Sequence, residues 1–262
     1  RVEAGWRGRW IRTERTAWGS ITRVQPFPGM DKRQLLRRMA GFGAFSLLAG
    51  VAALRAGRWF GKVDVVFAMS PPLTLGLTGW LAGRLRRAPM VFNVQDVFPD
   101  AAIRTGAISN RKVIAIAKWL EKLTYRRARA ITVLSDDLLA NLVVKMNLQH
   151  RARVHVIPNF VDTDAIRPAD RMTGYRSELG IGTEPVVLYA GNIGFSQSVG
   201  LMIDAAAVCP DVQFVINGDG AARAELEMLA AGLANVHFVD YQPVERLSEV
   251  LASGDIHVVL LR

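Results

Sequence analysis

Four short segments hold residues whose types and spacing could do chemistry. The first is Gly191-Asn192-Ile193-Gly194-Phe195-Ser196-Gln197-Ser198, set between the apolar run Val186 to Ala190 and a helical pattern. Glycines let the backbone approach a ligand, and the first turn of a helix offers free amides to a phosphate. Asn192 and Gln197 add side-chain donors. An ordinary strand-to-helix turn favours the same residues. The second segment, Gly218-Asp219-Gly220, repeats the setting. It begins like a dinucleotide fingerprint, but Arg223 fills the third small position, which argues against a nicotinamide enzyme and leaves a plain turn as the rival reading. The third is Asn93-Val94-Gln95-Asp96-Val97-Phe98-Pro99-Asp100. Asp96 is a carboxylate where parallel α/β folds place reacting groups, and equally a competent turn or helix cap ahead of Pro99. The fourth holds Asp162-Thr163-Asp164, which mimics an acidic metal motif. It follows Pro158-Asn159 in a turn, where aspartates cap, and it is read as a cap.

Other chemistries find no footing. The four histidines (His150, His155, His237, His257) are scattered, so no metal site is expected. His155, His237 and His257 sit in apolar runs that suit structural histidines. No nucleophile elbow or Walker A loop is present. Cys209 is the single cysteine. It leaves no internal disulfide and suits a reducing compartment.

The elements that must position these segments alternate strand and helix. Strands are predicted over Val63 to Met69, Met90 to Val94, Ile131 to Leu134 and Val154 to Ile157, then over Val186 to Ala190, Val212 to Ile216, Val236 to Val239 and Ile256 to Leu261. Helices fall between them: Leu73 to Leu85, Lys112 to Arg127, Asp136 to Met146, and about 198–208, 221–232 and 244–252. A short strand is read at Ile21 to Val24, before Pro26-Phe27-Pro28-Gly29. Strands separated by helices across short loops make parallel sheets covered on both faces. The Gly- and Pro-punctuated, acidic stretch from 166 to 184 reads as a linker between two domains, 1–165 and 185–262.

Charge divides the chain in the same way. Residues 1–150 hold 25 Lys+Arg and 9 Asp+Glu, a balance of +16, while residues 151–262 hold 8 and 14, a balance of −6. With half its 262 residues hydrophobic, the chain is neither disordered nor fibrous. A basic half joined to an acidic half implies two domains with different partners, one of them anionic. In the basic half, Met39 to Leu54 is a run of 16 uncharged residues flanked by Lys32, Arg33, Arg37, Arg38, Arg55, Arg58 and Lys62. As a helix it measures roughly 24 Å, short of the hydrocarbon core of about 30 Å. It reads as a buried helix or as one lying in a membrane interface with its cations on anionic headgroups. Trp6, Trp10 and Trp18 stand among arginines near the start, a pattern shared by nucleic-acid binding, a membrane interface and surface cation–π stacking.

Taken in order, these pieces resemble a family. Val63-Asp64-Val65-Val66-Phe67-Ala68-Met69-Ser70-Pro71-Pro72-Leu73, Gln95-Asp96-Val97-Phe98-Pro99-Asp100, Val156-Ile157-Pro158-Asn159-Phe160-Val161-Asp162, Leu188-Tyr189-Ala190-Gly191-Asn192-Ile193-Gly194 with Gln197, Gly218-Asp219-Gly220, and Asn235 through Asp255 are similar to glycosyltransferase family 4. That family comprises retaining GT-B enzymes, and the likeness is to its bacterial polysaccharide branch of colanic-acid and O-antigen fucosamine transferases. The resemblance implies an α/β chain of two Rossmann-like domains with parallel sheets facing a cleft, an acceptor side first and a nucleotide-sugar side second. The donor diphosphate site maps onto Gly191, Asn192, Gly194 and Gln197, with Gly218, Asp219 and Gly220 lining the nucleotide pocket and Tyr241 and Gln242 near the base. Asp96 or Gln95 would orient the sugar or acceptor.

Two departures stand out. Gln95 replaces a histidine common in the family, and Asn192 and Gln197 stand where many members carry an Arg/Lys pair. The family's glycine-rich first loop would precede Arg1 and its glutamate pair would follow Arg262. The chain is therefore expected to be a piece cut at both ends, inactive or severely impaired as it stands.

The implied reaction moves a sugar from a nucleotide diphosphate, with retention and without a cofactor or metal, to a lipid-diphosphate-linked or polysaccharide acceptor. The expected location is the cytoplasmic face of the inner membrane, held to anionic lipid by the basic, apolar N-terminal half and with no nucleic acid as partner. The rivals are a GT-B-type sugar-nucleotide 2-epimerase, a non-catalytic membrane-docking subunit, and a nucleic-acid binder drawn by the early arginines and tryptophans.

Overall fold

A computed structural model describes residues 10–26, 35–57, 62–96, 98–100, 103, 108–146, 148–195 and 197–260. Trp6, the turn over Phe27 to Gly29, Lys32, Arg33, the side chains of Arg37 and Arg38, Arg58, Val97, Ser196 and Leu261 lie outside the described residues. The chain separates into two compact units, residues 1–159 and 160–262.

The first unit opens with an antiparallel hairpin, β1 (Ile11–Thr16) and β2 (Gly19–Val24). The sequence reading found only the second strand. The first, Ile-Arg-Thr-Glu-Arg-Thr, has little apolar content and is held by cross-strand pairs: Thr13 with Thr22 at 3.0 Å between hydroxyls, and Glu14 with Arg23. Helix α1 (Leu35–Arg55) follows, then β3 (Val66–Ser70), α2 (Thr74–Arg86), β4 (Met90–Val94), α3 (Arg111–Arg127), β5 (Ala130–Val133), α4 (Asp136–Met146) and β6 (Val154–Val156). The strands form one parallel sheet in the order β3-β4-β5-β6.

Local chemistry sets the helix starts. Asn110 caps α3, its side chain accepting from the amides of Lys112 (2.9 Å) and Val113 (3.3 Å). Ser135 accepts from Leu138 at 3.3 Å ahead of α4, whose first turn carries Asp136 and Asp137. Bare Cα atoms let α2 lie close to its neighbours. A Cβ on Gly76 would come within 2.2 Å of Thr124, and one on Gly79 within 2.8 Å of the Ala68 Cβ.

Ala68, Phe92, Val94, Ile131, Val133 and Val154 join residues of α2, α3 and α4 in a single core on one face. On the other face Phe67 and Met69 stand exposed. Both lie on the edge strand β3; at the centre of the same face Asn93 and Thr132 are buried.

The second unit runs α5 (Gly174–Glu178), β7 (Val186–Ala190), α6 (Gly200–Val208), β8 (Gln213–Asn217), α7 (Arg223–Leu229), β9 (Val236–Val239), α8 (Leu247–Ala252) and β10 (Ile256–His257). Its parallel sheet has the order β10-β7-β8-β9. Here both faces are covered. Tyr189, Phe214 and Ile216 pack with Met202, Ile203 and Leu226, while Val186, Leu188 and Val215 pack with Tyr175, Ile181 and Val250. The last strand is shorter than the predicted Ile256 to Leu261. Only Ile256 and His257 pair with β7, although the Val258 amide still donates to Leu188 at 3.0 Å.

The stretch from 166 to 184 is not a linker. Arg176 is 1% exposed and donates to the carbonyls of Ser253 and Glu184 and to Asp255. The Tyr175 amide donates to Glu249 at 2.8 Å, and Thr173 and Ser253 share a hydroxyl contact of 2.6 Å. Composition misleads here because the segment docks through polar clamps and only two buried apolar side chains, Tyr175 and Ile181.

Candidate functional site

The two glycine segments of the second unit interlock at the carboxyl ends of β7 and β8. The Gly191 amide donates to the Asn217 carbonyl (2.9 Å), the Ile193 amide to Asp219 (2.9 Å), and the Ala222 amide back to Ile193 (3.0 Å). Gly218 sits at φ +151°, and a Cβ there would stand 1.9 Å from the Gly191 carbonyl oxygen. A Cβ on Gly220 would stand 2.2 Å from the Ile193 oxygen. Neither position admits a side chain without moving backbone, so both glycines are needed for the two loops to touch. Ile193, fully buried, anchors the first loop into the core below.

What the platform leaves free matters most for chemistry. Among the described residues, no carbonyl accepts from the amides of Asn192, Gly194 or Phe195. The Asn192 and Gln197 side chains converge over Gly194, where a Cβ would meet both at 2.7 Å; the Asn192 amide nitrogen lies 3.4 Å from the Gln197 oxygen. Helix α6 begins at Gly200 with no side-chain cap at its start. The open amides at Asn192, Gly194 and Phe195 and the two carboxamides could receive an anion near the positive end of α6, where the amides of Leu201 and Met202 already donate to Ser198 and Val199.

Two residues hold the platform that sequence reasoning gave no such role. The Tyr189 hydroxyl donates to the Asn192 carbonyl at 2.7 Å. Burial raises its pKa, helped by the nearby Tyr241. Arg223, noted in the sequence only for spoiling a fingerprint, donates to the Gly218 carbonyl at 2.9 Å, pairs with Glu227 at 2.7 Å and binds Asp240. Its hydrogen bond to Glu227 raises its pKa most, burial opposes that rise, and its contacts with Asp240 add to it. A cation three residues after a glycine turn was the available signal.

The remaining predicted donor residues are placed differently. Asp219 is exposed and its carboxylate accepts from the Gly220 amide at 2.7 Å, so it shapes the turn. The Tyr241 hydroxyl approaches the Asp219 carbonyl at 3.5 Å, which brings Tyr241 to the platform. The Gln242 side chain is engaged, donating to the Asp240 carbonyl (3.1 Å) and accepting from Arg246 (3.2 Å).

In the first unit, Asp96 is exposed at the end of β4. Gln95 is tied inward, its side-chain amide donating to Asn93, which in turn donates to the Thr132 hydroxyl at 2.7 Å. The other carboxylate of that motif, Asp100, is a structural group. It pairs with Lys145 at 2.8 Å, and Lys145 also reaches Glu121 at 2.7 Å. Burial raises the Glu121 pKa despite that lysine. Asp162 caps its own turn, accepting from the amides of Asp164 (2.9 Å) and Ala165 (3.1 Å), which is the role the sequence reading gave it.

Comparison with known proteins gives consistent matches. Residues 4–159 match the family described as glycosyl transferase 4-like domain, and residues 173–262 match glycosyl transferases group 1. Alpha-D-kanosaminyltransferase of Streptomyces kanamyceticus is 34% identical over 154 residues, covering 55% of this chain and 39% of its own length. The Escherichia coli K12 protein WcaI, named for glycosyl transfer in colanic acid biosynthesis, is 26% identical over 243 residues, covering 86% and 57%. Among solved structures, sucrose-phosphate synthase from Thermosynechococcus elongatus superposes with a TM-score of 0.68 at 16% identity, over 95% of this chain and 61% of that one. Anabaena HepE in complex with UDP and glucose gives 0.62 at 17% identity, over 81% and 55%. The chain thus spans about 39 to 57% of the length of the two curated relatives.

Proposed function

The chain belongs to the glycosyl transferase 4-like family and has the GT-B fold, and from that premise we propose that it serves transfer of a sugar from a nucleoside diphosphate. The observation that carries the proposal is the cradle of open amides at Asn192, Gly194 and Phe195, held in place by the Gly191–Gly218 and Ile193–Gly220 contacts. Charge develops on the diphosphate as the sugar departs. Fixed amide dipoles, the Asn192 carboxamide and the start of α6 stabilise that charge without having to reorganise. Gln197 orients Asn192, and Tyr241 offers a ring for the base beside Asp219. HepE, solved with UDP and glucose, has the same fold and is compatible with such a donor.

The reaction proceeds with retention, with Asp96 and Gln95 of the first unit orienting the sugar or acceptor. The acceptor is lipid-diphosphate-linked or polysaccharide, as the likeness to a protein named for colanic acid biosynthesis suggests. No resident cofactor is required by this scheme.

We also propose that the protein works on the cytoplasmic face of the inner membrane. No helix among the described residues is long and apolar enough to cross a membrane. Helix α1 nonetheless exposes part of its apolar surface. It packs on α2 through small groups, with the Ser46 hydroxyl 2.7 Å from that of Thr74 and Gly50 against Thr78, while Leu47 (70% exposed), Phe42 and Val51 face out. Large apolar side chains turned outward suit an interfacial helix.

The test is a donor screen. Nucleoside diphosphates and their sugars are titrated calorimetrically, and transfer to a lipid-diphosphate acceptor is followed with the anomeric configuration of the product read by NMR. Binding of one nucleoside diphosphate and a retained configuration are expected. An inverted product would refute retention, and failure to bind any nucleoside diphosphate would refute the donor site.

A further inference from the structure

The first unit carries a second concave site, at the end of its sheet opposite the one that bears Asp96. A cleft of about 630 Å³ opens where β4 and β5 begin and α2 and α3 end. Arg84, Arg87, Arg126, Arg127, Arg129 and Arg153 line it, and no carboxylate does. We propose that this cleft binds a phosphate group, either on a soluble polyphosphate compound or on a phosphomonoester lipid headgroup.

Helix ends favour arginine, because the last carbonyls carry partial negative charge. That accounts for some of the cluster. Arg153 donates to the Ala128 carbonyl at 3.0 Å, just past the end of α3, and Arg86 serves the end of α1 by donating to Ala53 (2.6 Å) and Ala56 (2.7 Å). It does not account for the rest. Among the described residues, the side chains of Arg84, Arg87, Arg126 and Arg129 have no hydrogen-bond or ion-pair partner, and no carboxylate lines the cleft to balance the six arginines. Arg153 Nε is buried with no partner. Arg87 holds φ +58°, the left-handed region that a glycine would occupy freely, and is the only non-glycine residue with positive φ among the described residues. Trp80 forms part of the wall, with the Arg127 guanidinium stacked 4.8 Å from its ring centroid. That stacking fixes one planar fork of donors at the rim. Guanidinium forks match carboxylate or phosphate oxygens two at a time, and six cations around one cleft favour the more highly charged phosphate.

The experiment uses the chain carrying Asn192→Ala and Gln197→Ala, so that anion binding at the donor platform is weakened and the change between cleft variant and control reads the cleft. Inorganic pyrophosphate is titrated calorimetrically, and flotation is measured with phosphatidylcholine vesicles with and without phosphatidic acid. Arg84→Gln with Arg126→Gln removes two exposed arginines, and Arg12→Gln with Arg15→Gln, in the hairpin, is the charge-matched control. The expected result is binding that weakens with salt and falls about tenfold or more in the cleft variant but not in the control. Binding of pyrophosphate alone assigns the site to soluble phosphates, and binding of the phosphatidic acid vesicles alone assigns it to lipid. Absence of binding to both probes, or equal loss in the control, overturns the proposal. Arg84→Lys with Arg126→Lys retains the charge and is expected to restore part of the affinity.

Discussion

The amide of Ile193 donates to the carbonyl of Asp219 across 2.9 Å, tying the loop after β7 to the loop after β8. This one bond turns two turns, each ordinary alone, into a single platform. The cradle at Gly194 depends on it.

Gly220→Ala places a methyl group 2.2 Å from the Ile193 oxygen, where only backbone movement can make room. The expected cost is about 2 kcal/mol or more of stability in the second unit, by analogy with overpacked cores. Affinity for nucleoside diphosphates should fall by at least about tenfold. Urea unfolding and calorimetry measure the two effects. Wild-type behaviour in both would mean the loops are not interdependent.

Asn192→Ala and Gln197→Ala remove groups from the open side of the platform, where Asn192 is exposed. Each should leave the urea midpoint within about 0.5 kcal/mol of wild type. Each should weaken nucleoside diphosphate binding by roughly three- to tenfold, the value of a charge-assisted hydrogen bond less water's competition. A large loss of stability with unchanged affinity would contradict the assignment.

Arg223 acts through the Gly218 carbonyl and is a positioning residue. Arg223→Ala should lower nucleotide affinity by about tenfold, and Arg223→Lys, which keeps charge but loses the second edge of donors, should recover only part. A merely structural role would lower the unfolding midpoint in proportion to affinity loss. A positioning role predicts an affinity loss that persists well below that midpoint, at temperatures where the variant is fully folded.

Asp255 gives a pH dependence. Burial would raise its pKa, but the Val186 amide at 2.8 Å together with Arg171 and Arg176 holds it below the ordinary aspartate value of 3.8. A folded pKa below the unfolded one means the stabilisation is present above 3.8 and is lost as pH falls through the folded value. Asp255→Asn should cost about 1 kcal/mol near pH 7, because the partly exposed carboxylate is screened by solvent and Arg176 keeps its carbonyl acceptors. The gap between variant and wild type should narrow only below pH 3.8. A gap that closes already at pH 5 to 6 would contradict this account.

Much of this was legible in the sequence, and the rest was hidden for physical reasons. The strands Met90 to Val94, Val186 to Ala190 and Val236 to Val239 fall where the apolar runs place them, because buried parallel strands need continuous apolar residues. Gly218 and Gly220 could be named as site residues but not explained, since their necessity comes from Gly191 and Ile193, more than two dozen residues away. Tyr189 reads as another apolar strand residue until its hydroxyl is seen on the Asn192 carbonyl. The docking of 166–184 is written in Arg176 and Asp255, a pairing that no local pattern reveals. His237 reads as a structural histidine and is one: its ring nitrogen lies 2.8 Å from Gln213, and burial lowers its pKa.

The central claim is that the platform at Gly191 to Gln197 receives the diphosphate of a nucleotide sugar. Its most direct test is calorimetric titration of the chain with UDP, GDP, ADP and TDP, repeated with Gly220→Ala and with Asn192→Ala. The account predicts that at least one nucleoside diphosphate binds and that both substitutions weaken it. A folded chain that binds none of the four, or binds one with affinity indifferent to both substitutions, would contradict the claim.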